Sequence, residues 1–351
     1  MSAHTHELVI NGHTIKPGQR LTLDLPVTKL YTHTPIAIPI HVISGKKAGP
    51  RVFICAAIHG DEINGVEIIR RLLKLSSLKR LRGTLIAIPV VNAHGFLQRI
   101  RYLPDGRDLN RSFPGSERGS LAARLAHLFM EEIVKQCTHG IDLHTGAAHR
   151  TNLPQIRGHL DDPETLRLAQ AFGVPVLLNS DIRDGSLREA TVELGIPLLL
   201  YEAGEALRFD ELSIRAGVRG IINVLKALEM LPVGKTKTIS KKPFIARTSN
   251  WVRAPASGIF VTRLRLGSHV QKNSPLCLIS DPFGENETIV ISPYEGIVIG
   301  RTNLPLVNEG DALMHIGRFG DVEHVADKVS QFTSMYQEDL PAQFPPDPEL
   351  E

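Results

Sequence analysis

The chain has 351 residues, 42% of them hydrophobic and 22% charged, a length and balance that suit one large globular domain with a smaller companion. Forty Lys and Arg against 37 Asp and Glu leave a net charge of +3, and no dense basic tract carries interleaved aromatics, so nucleic acid is not implied as a partner. No apolar stretch approaches the roughly 20 residues that span a bilayer, and the first residues lack the basic start and apolar core of a secretion signal, so a cytoplasmic protein without a membrane partner is expected. Cys55, Cys137 and Cys277 are far apart and set among apolar residues; they read as reduced and buried, neither a disulfide framework nor a thiolate cluster.

Residues 7–43 alternate apolar and polar positions between turn signals, which predicts several short strands that extend the main sheet or pack against it. Arg51 to Ile58 is apolar and rich in β-formers, as a strand buried on both faces requires. His59-Gly-Asp-Glu62 follows, and then Val66, Ile69, Leu72 and Leu73 recur at helical spacing. Thr84 to Asn92 is a second apolar run. Ala93 to Gly119, rich in Gly, Pro, Arg and Asp, reads as a long loop before the helical pattern of Leu121 to Val134. Gly140 to Thr145 is a third strand, and Asp162 with Pro163 starts a helix to Ala171. Val174 to Leu178 and Ile196 to Tyr201 are strands around a helix near Leu187 to Leu194, and Phe209 to Leu228 is the final long helix. Strands alternating with helices predict an α/β fold whose mixed, largely parallel sheet is flanked by helices.

The pattern breaks at Leu231 to Lys242, where Pro, Gly and lysines mark a linker over 233–242 between a unit of residues 1–232 and a second of 243–330. In the second unit Ala254-Pro-Ala-Ser-Gly-Ile259, Val270 and Pro275-Leu276 are echoed by Ser292-Pro-Tyr-Glu-Gly-Ile297, Val307 and Ala312-Leu313. Two such β-rich halves cannot easily bury their faces alone, so a small two-fold barrel sandwich is expected. Pro255-x-x-Gly258, Pro293-x-x-Gly296 and Gly310 to Leu313 resemble the biotinyl and lipoyl carrier domains. Asp281 to Gly300, where a carrier holds its modified lysine, contain no lysine, so a structural or substrate-gating cap is expected instead. Residues 331–351 form a tail that is acidic and Pro-rich from Asp339 onward and is expected to be poorly ordered.

Polar residues stand at four strand ends: His59 and Glu62, Asn92, Asp142 and His144, and Glu202. In a parallel sheet those ends share one edge, so residues distant in sequence converge there. Catalytic zinc takes three nitrogen or carboxylate ligands and keeps one open position. His59, Glu62 and His144 supply such a set, with Asp61 and Asp142 near enough in sequence to orient the imidazoles. Arg101, Arg107 and Arg111, with Asn110, lie in the long loop beside that edge, and the planar fork of Arg suits a substrate carboxylate. The alternative is that these arginines are solvated or pair locally with Asp105 and Asp108.

His59-x-x-Glu62, Asp108-Leu-Asn-Arg111-Ser-Phe-Pro-Gly, Asp142-Leu-His144-Thr and Tyr201-Glu202-x-Gly204, in that order across residues 40 to 230, resemble the aspartoacylase and succinylglutamate desuccinylase family, relatives of the zinc carboxypeptidases. The resemblance implies one zinc ion per chain on His59, Glu62 and His144, with Glu202 as general base and acid and Asn110 with Arg111 on the substrate carboxylate. It also implies a carbonyl-polarising arginine, which Arg101 matches best; the intervening segment is about two residues longer here than in aspartoacylase, which keeps Arg107 as the alternative. The implied activity is removal of an acyl group from an N-acyl amino acid or related small carboxylate by metal-activated water. The competing functions are a metallocarboxypeptidase acting on peptides and a non-catalytic binding protein on the same fold. Glu193, on the helix before the last strand, is the rival carboxylate and is expected to be structural or exposed. Substrate choice is expected in the loops 93–119 and 145–160, with His149, Arg150, Gln155 and Arg157 as contact candidates; the acyl group, the amino acid and any homo-oligomer are left open.

Overall fold

The computed structural model describes residues 7–179, 183–233, 244–246 and 248–338. The strands β1 (Leu8–Ile10) and β2 (His13–Ile15) form a hairpin of their own, and β3 (Arg20–Lys29) and β4 (Pro35–Ser44) form a long antiparallel edge of the main sheet. The α/β core continues with β5 (Arg51–Ala56), α1 (Asn64–Leu73), β6 (Thr84–Ile88), α2 (Ala93–Gln98), α3 (Leu121–Glu132), β7 (His139–Gly146), β8 (Arg150–Gly158), α4 (Pro163–Phe172), β9 (Val176–Asn179), α5 (Leu187–Glu193), β10 (Leu198–Glu205) and α6 (Glu211–Ala227). At its centre β10, β7, β5 and β6 run parallel in that order, so the strand ends that carry polar residues do share one edge.

Alternation along β5 shows how the sheet is held. Val52, Ile54 and Ala56 enter the core beneath α1, α4 and α6, whereas Phe53 and Cys55 enter the opposite core beneath α3 and α5. All five are fully buried, and Ile54 and Phe53 each contribute roughly 1.5–3 kcal/mol by leaving water. The Asp162 carboxylate caps α4 by accepting the Thr165 N–H at 2.7 Å with Pro163 in first position, as expected. The three cysteines are free and buried.

Three expectations are corrected. The loop after β6 contains α2, whose N-cap is Asn92: its side chain accepts the Gly95 N–H at 2.8 Å, so this strand-end residue serves helix geometry and not a metal. The presumed loop 145–160 is largely β8, an antiparallel neighbour of β10; Leu153 and Pro154 let it read as a broken segment, and only pairing on both sides makes it a strand. Nor is α6 the last long helix.

The C-terminal strands are β11 (Phe244–Ala246), β12 (Thr248–Arg253), β13 (Gly258–Val261), β14 (His269–Val270), β15 (Pro275–Ser280), β16 (Glu287–Ile291), β17 (Gly296–Thr302), β18 (Leu306–Val307) and β19 (Ala312–Arg318), followed by α7 (Val322–Glu338). The repeat is visible as a reciprocal exchange: β14 pairs with β17 through Val270 and Gly296, and β18 pairs with β13 through Val307 and Gly258. Phe260, Val270, Leu276, Val298, Val307 and Leu313, drawn from both halves, fill the space between. The unit does more than fold on itself. The strands β17, β19 and β12 continue the main sheet beyond β8, so that the main sheet has 13 strands and β13, β15, β16 and β18 form a separate antiparallel sheet of four. Helix α7 crosses the expected start of the tail at 331, and its Phe332 and Tyr336 enter the core shared with α6. The tail beyond Glu338 and the linker residues 234–242 lie outside the described residues.

Candidate metal centre and active site

The turn after β5 is shaped before any ligand is considered. Ala57 adopts φ 51°, a left-handed conformation that costs an alanine about 1 kcal/mol or more and directs the chain out of the sheet. A Cβ on Gly60 would lie 1.9 Å from the Gly95 carbonyl carbon, so only glycine lets this turn pass the start of α2. His59 and Glu62 are thereby held at the mouth of the sheet, 4% and 2% exposed in their side chains.

The Glu62 carboxylate is the point of convergence. Its Oε1 lies 2.7 Å from His59 Nδ1 and its Oε2 lies 2.8 Å from His144 Nδ1, while the Thr145 N–H donates to Oε2 at 3.0 Å. The two imidazole centroids are 4.9 Å apart. Each ring is also held from behind: His144 Nε2 is 2.8 Å from Asp142 Oδ2, and His59 Nε2 is 3.1 Å from Asp108 Oδ1. Cys55 Sγ donates to the other Asp142 oxygen at 3.3 Å. Asp142 therefore has the orienting role expected of it, whereas Asp61 does not; its Oδ1 is buried without a hydrogen-bond partner among the described residues, and burial raises its pKa with help from Glu62.

This donor set fits a cation. A neutral imidazole that donates its Nε2 proton to a carboxylate turns a bare Nδ1 lone pair outward. Two such lone pairs facing one ionised carboxylate repel it unless the rings carry protons or a metal ion takes their place. Without a metal the protons win: burial alone would lower the His144 pKa, but Asp142 and Glu62 outweigh it and hold it well above the ordinary value. Burial would raise the Glu62 pKa, yet His59 and His144 pull it well below the carboxylate range. The ligand atoms of His59, Glu62 and His144 all lie within 4.8 Å of one another. The three could therefore hold one metal ion with their outer partners already in place.

Asp108 connects this centre to the arginine loop. Besides His59 it receives the Asn110 N–H at 2.8 Å through Oδ1, and Arg101 Nε at 3.2 Å and Nη2 at 2.9 Å through Oδ2. Arg101 Nη1 also reaches Glu62 Oε1 at 3.2 Å, so this guanidinium stands against the metal-ligand set. Arg107, 63% exposed, faces Asp105 at 3.7 Å and takes no part. Geometry thus sets Arg101, the better match in sequence, against the ligand set and leaves the alternative Arg107 outside it. Arg111 donates to its neighbour's carbonyl, Asn110 O, and the Asn110 side-chain oxygen accepts the Leu187 N–H at 3.0 Å, tying the loop to the start of α5. Burial lowers the Arg111 pKa, and the nearby positive charges of Arg183 and Arg101 press in the same direction. Such crowding of guanidinium groups suits an anion.

Glu202 lies on β10 beside His144 in the parallel register of β7. Its Oε1 accepts the Asn152 Nδ2 hydrogen at 2.7 Å and its Oε2 lies 2.9 Å from Arg157 Nε. Both partners come from β8, the strand that sequence reading missed. Glu193 is exposed on α5, as expected. Asp108 and Asn152 are the residues whose part was not foreseen: Asp108 was visible in the Asp-Leu-Asn-Arg run but read as a local ion-pair partner, and Asn152 carried no signal without the β8–β10 pairing.

Residues 48–228 match the model of the succinylglutamate desuccinylase/aspartoacylase catalytic domain, more than half of the chain. The chain belongs to that family. It is accordingly a metal-dependent hydrolase of the deacylase type, with a buried His-Glu-His set in place. The chain is 26% identical over 296 residues to the N-alpha-acetyl-L-2,4-diaminobutyric acid deacetylase of Halomonas elongata, a match that covers 79% of this chain and 84% of the relative. The crystal structure of a succinylglutamate desuccinylase/aspartoacylase from Rhodobacter sphaeroides is 26% identical with TM-score 0.78 and covers 90% of this chain and 100% of that one. The fold is likewise that of the product-bound ectoine utilization protein EutE (DoeB) from Ruegeria pomeroyi, 24% identical with TM-score 0.78, covering 87% and 96% of the two chains. Among the described residues no helix is long and apolar enough to cross a membrane.

Proposed function

We propose that this family member is a zinc-dependent deacylase that releases the acyl group of an N-acyl amino acid. In this reading residues 1–232 are the hydrolase and residues 243–330 a cap to it. The observation that supports the reading most is the convergence of His59 Nδ1 and His144 Nδ1 on Glu62 with Glu202 on the adjacent strand. When bound there, zinc supplies a water of lowered pKa and polarises the amide carbonyl.

The remaining work falls to side chains of the chain itself. Glu202, held by Asn152 and Arg157, takes the proton of the attacking water and returns it to the departing amine nitrogen. Arg101 stabilises the negative charge that develops on the carbonyl oxygen; burial would lower its pKa, but Glu62 and Asp108 outweigh it and keep the group cationic. Arg111 and Asn110 grip the carboxylate of the amino acid, the planar guanidinium providing paired donors. That grip would hold a peptide C-terminus as well, so the preference for small N-acylated acids rests on the small acyl and amino-acid parts named for the Halomonas elongata relative.

The test is to strip the protein of metal, restore it with one equivalent of zinc and measure free carboxylic acid from a panel that includes N-α-acetyl-2,4-diaminobutyrate, with short peptides as controls. Zinc-dependent release from N-acyl amino acids is expected. Release of amino acids from peptides alone would make the protein a carboxypeptidase, and no release from either would remove the catalytic reading.

A further inference from the structure

A row of side chains runs across the sheet from Glu202 into the C-terminal strands, and several of its polar atoms are buried without a hydrogen-bond partner among the described residues. Gln155 is directly opposite Glu202 in the β8–β10 register, and its side chain is 0% exposed with neither Oε1 nor Nε2 hydrogen-bonded. Asn152, 4% exposed, spends its Nδ2 on Glu202 and leaves Oδ1 without a donor. Across β17 the same row reaches Gly300, which pairs with Asn152 on one side and with His315 of β19 on the other. His315 is 6% exposed and its Nδ1 has no partner. A buried amide or imidazole atom left unsatisfied costs roughly 1–3 kcal/mol, so a cluster of four calls for something to fill it.

The surroundings look built for occupancy. The His315 ring is stacked on Trp251 of β12 with centroids 4.9 Å apart and planes 9° from parallel, and the Arg150 guanidinium lies 5.4 Å from the Trp251 ring centre. A Cβ on residue 300 would stand 2.6 Å from Asn152 Oδ1 and 3.2 Å from His315 Cβ, so only glycine lets Asn152 and His315 close in together on this point of β17. Asn152 and Arg157 both touch Glu202, which puts the cluster against the proposed proton-transfer group.

We propose that Gln155, Asn152 and His315 form a substrate subsite for an uncharged hydrogen-bonding terminus, a carboxamide above all; this rests on the deacylase reading for its place in the reaction. Asn152 Oδ1 and Gln155 Oε1 are acceptors in search of N–H or O–H donors, Gln155 Nε2 is a donor in search of a carbonyl, and His315 Nδ1 takes either part according to its tautomer. A carboxamide presents both. At the His315 end of the row an ammonium group faces the Arg157 and Arg183 charges that join burial in lowering the His315 pKa to about 3, while the Glu202 carboxylate stands at the other end, paired with Arg157. A methyl terminus leaves every one of these atoms unpaired. The terminus could be carried by the amino-acid side chain or by the acyl group.

Trp251, the one tryptophan of the chain, reports on the site without turnover. The zinc-loaded protein is titrated by fluorescence with glutamine, glutamate, 2,4-diaminobutyrate and norvaline as the amino-acid arm, and with succinamate, succinate, 4-aminobutyrate and butyrate as the acyl arm. At least tenfold tighter binding of the carboxamide than of the ammonium and methyl members is expected in one arm, and that arm names the source. His315→Phe and Gln155→Leu should bring the ratio within about threefold of unity, whereas His315→Gln, which keeps a hydrogen-bonding group, should retain most of it. Equal binding across both arms, an ammonium or carboxylate preference, or a carboxamide preference that survives His315→Phe and Gln155→Leu overturns the proposal. The matching N-acyl amino acids are then assayed for hydrolysis. Hydrolysis without a carboxamide preference removes the subsite alone, and a carboxamide preference in binding without any hydrolysis removes the deacylase reading alone.

Discussion

The two sides of Glu202 are built on different principles. Toward β7 and β5, both nitrogens of each imidazole and both oxygens of Glu62 have partners within the chain, and Asp108 and Asp142 fix the rings from behind. Toward β8 and β19, Gln155, Asn152 and His315 keep polar atoms that nothing among the described residues satisfies. A metal centre must hold its ligands in place before the ion arrives, because reorganising buried charge is costly, whereas a specificity pocket must leave its hydrogen-bonding capacity for the ligand. In the proposed reading, preorganisation goes with the side that serves the ion and vacancy of partners with the side that serves the substrate.

Substitutions on each side should sharpen that contrast. The largest effect is expected from Glu202→Gln, which keeps the hydrogen bond from Asn152 but removes the proton acceptor: kcat should fall roughly 10²–10⁴-fold with zinc content unchanged by elemental analysis. Unimpaired kcat would move the general base elsewhere. Arg101→Ala should lower kcat/KM about 10²–10³-fold, while Arg107→Ala, at an exposed position facing Asp105, should stay within about twofold of the parent; the reverse order would exchange their roles. Asp142→Asn, read by competition with a chelator, should weaken zinc binding ~10–100-fold by loosening His144, and unchanged affinity would show that the ring needs no rear support.

The smallest effect belongs to neither side. Arg70 and then Arg71 hold the Glu67 carboxyl down to about 2 from its ordinary 4.5, on the helix that follows the metal motif. A carboxyl depressed on folding adds stability above its unfolded pKa and loses it as pH falls through its folded one. Glu67→Gln should therefore cost about 1 kcal/mol in urea unfolding at pH 7, and the difference should shrink between pH 4.5 and pH 2. A difference that persists at pH 2 would point to packing instead of charge.

Much of the centre was legible because strand-end chemistry is local. His59 and Glu62 sit in one turn, and Asp142 and His144 lie two residues apart on one strand, so spacing alone presented them together. Asn92 misled for the same reason: a polar residue at a strand end can equally cap the next helix, and only the Gly95 N–H bond decides. The strand β8 stayed hidden because Leu153 and Pro154 interrupt strict alternation, and with it went Asn152 and the pairing partner of Glu202. The C-terminal repeat was readable through its offset, but its attachment to the main sheet was not.

By itself the sequence determined the α/β core, the metal-ligand candidates and the two-fold character of the C-terminal unit, since each follows from periodicity and short spacing along one stretch of chain. Only the tertiary structure decided that Asp108 backs His59, that Arg101 and not Arg107 stands at the centre, and that β17 and β19 bring His315 into the row that begins at Glu202. Those relations depend on the pairing of β17 with the sequence-distant β8 and on loops whose path is set by packing, and neither leaves a local periodicity in the chain.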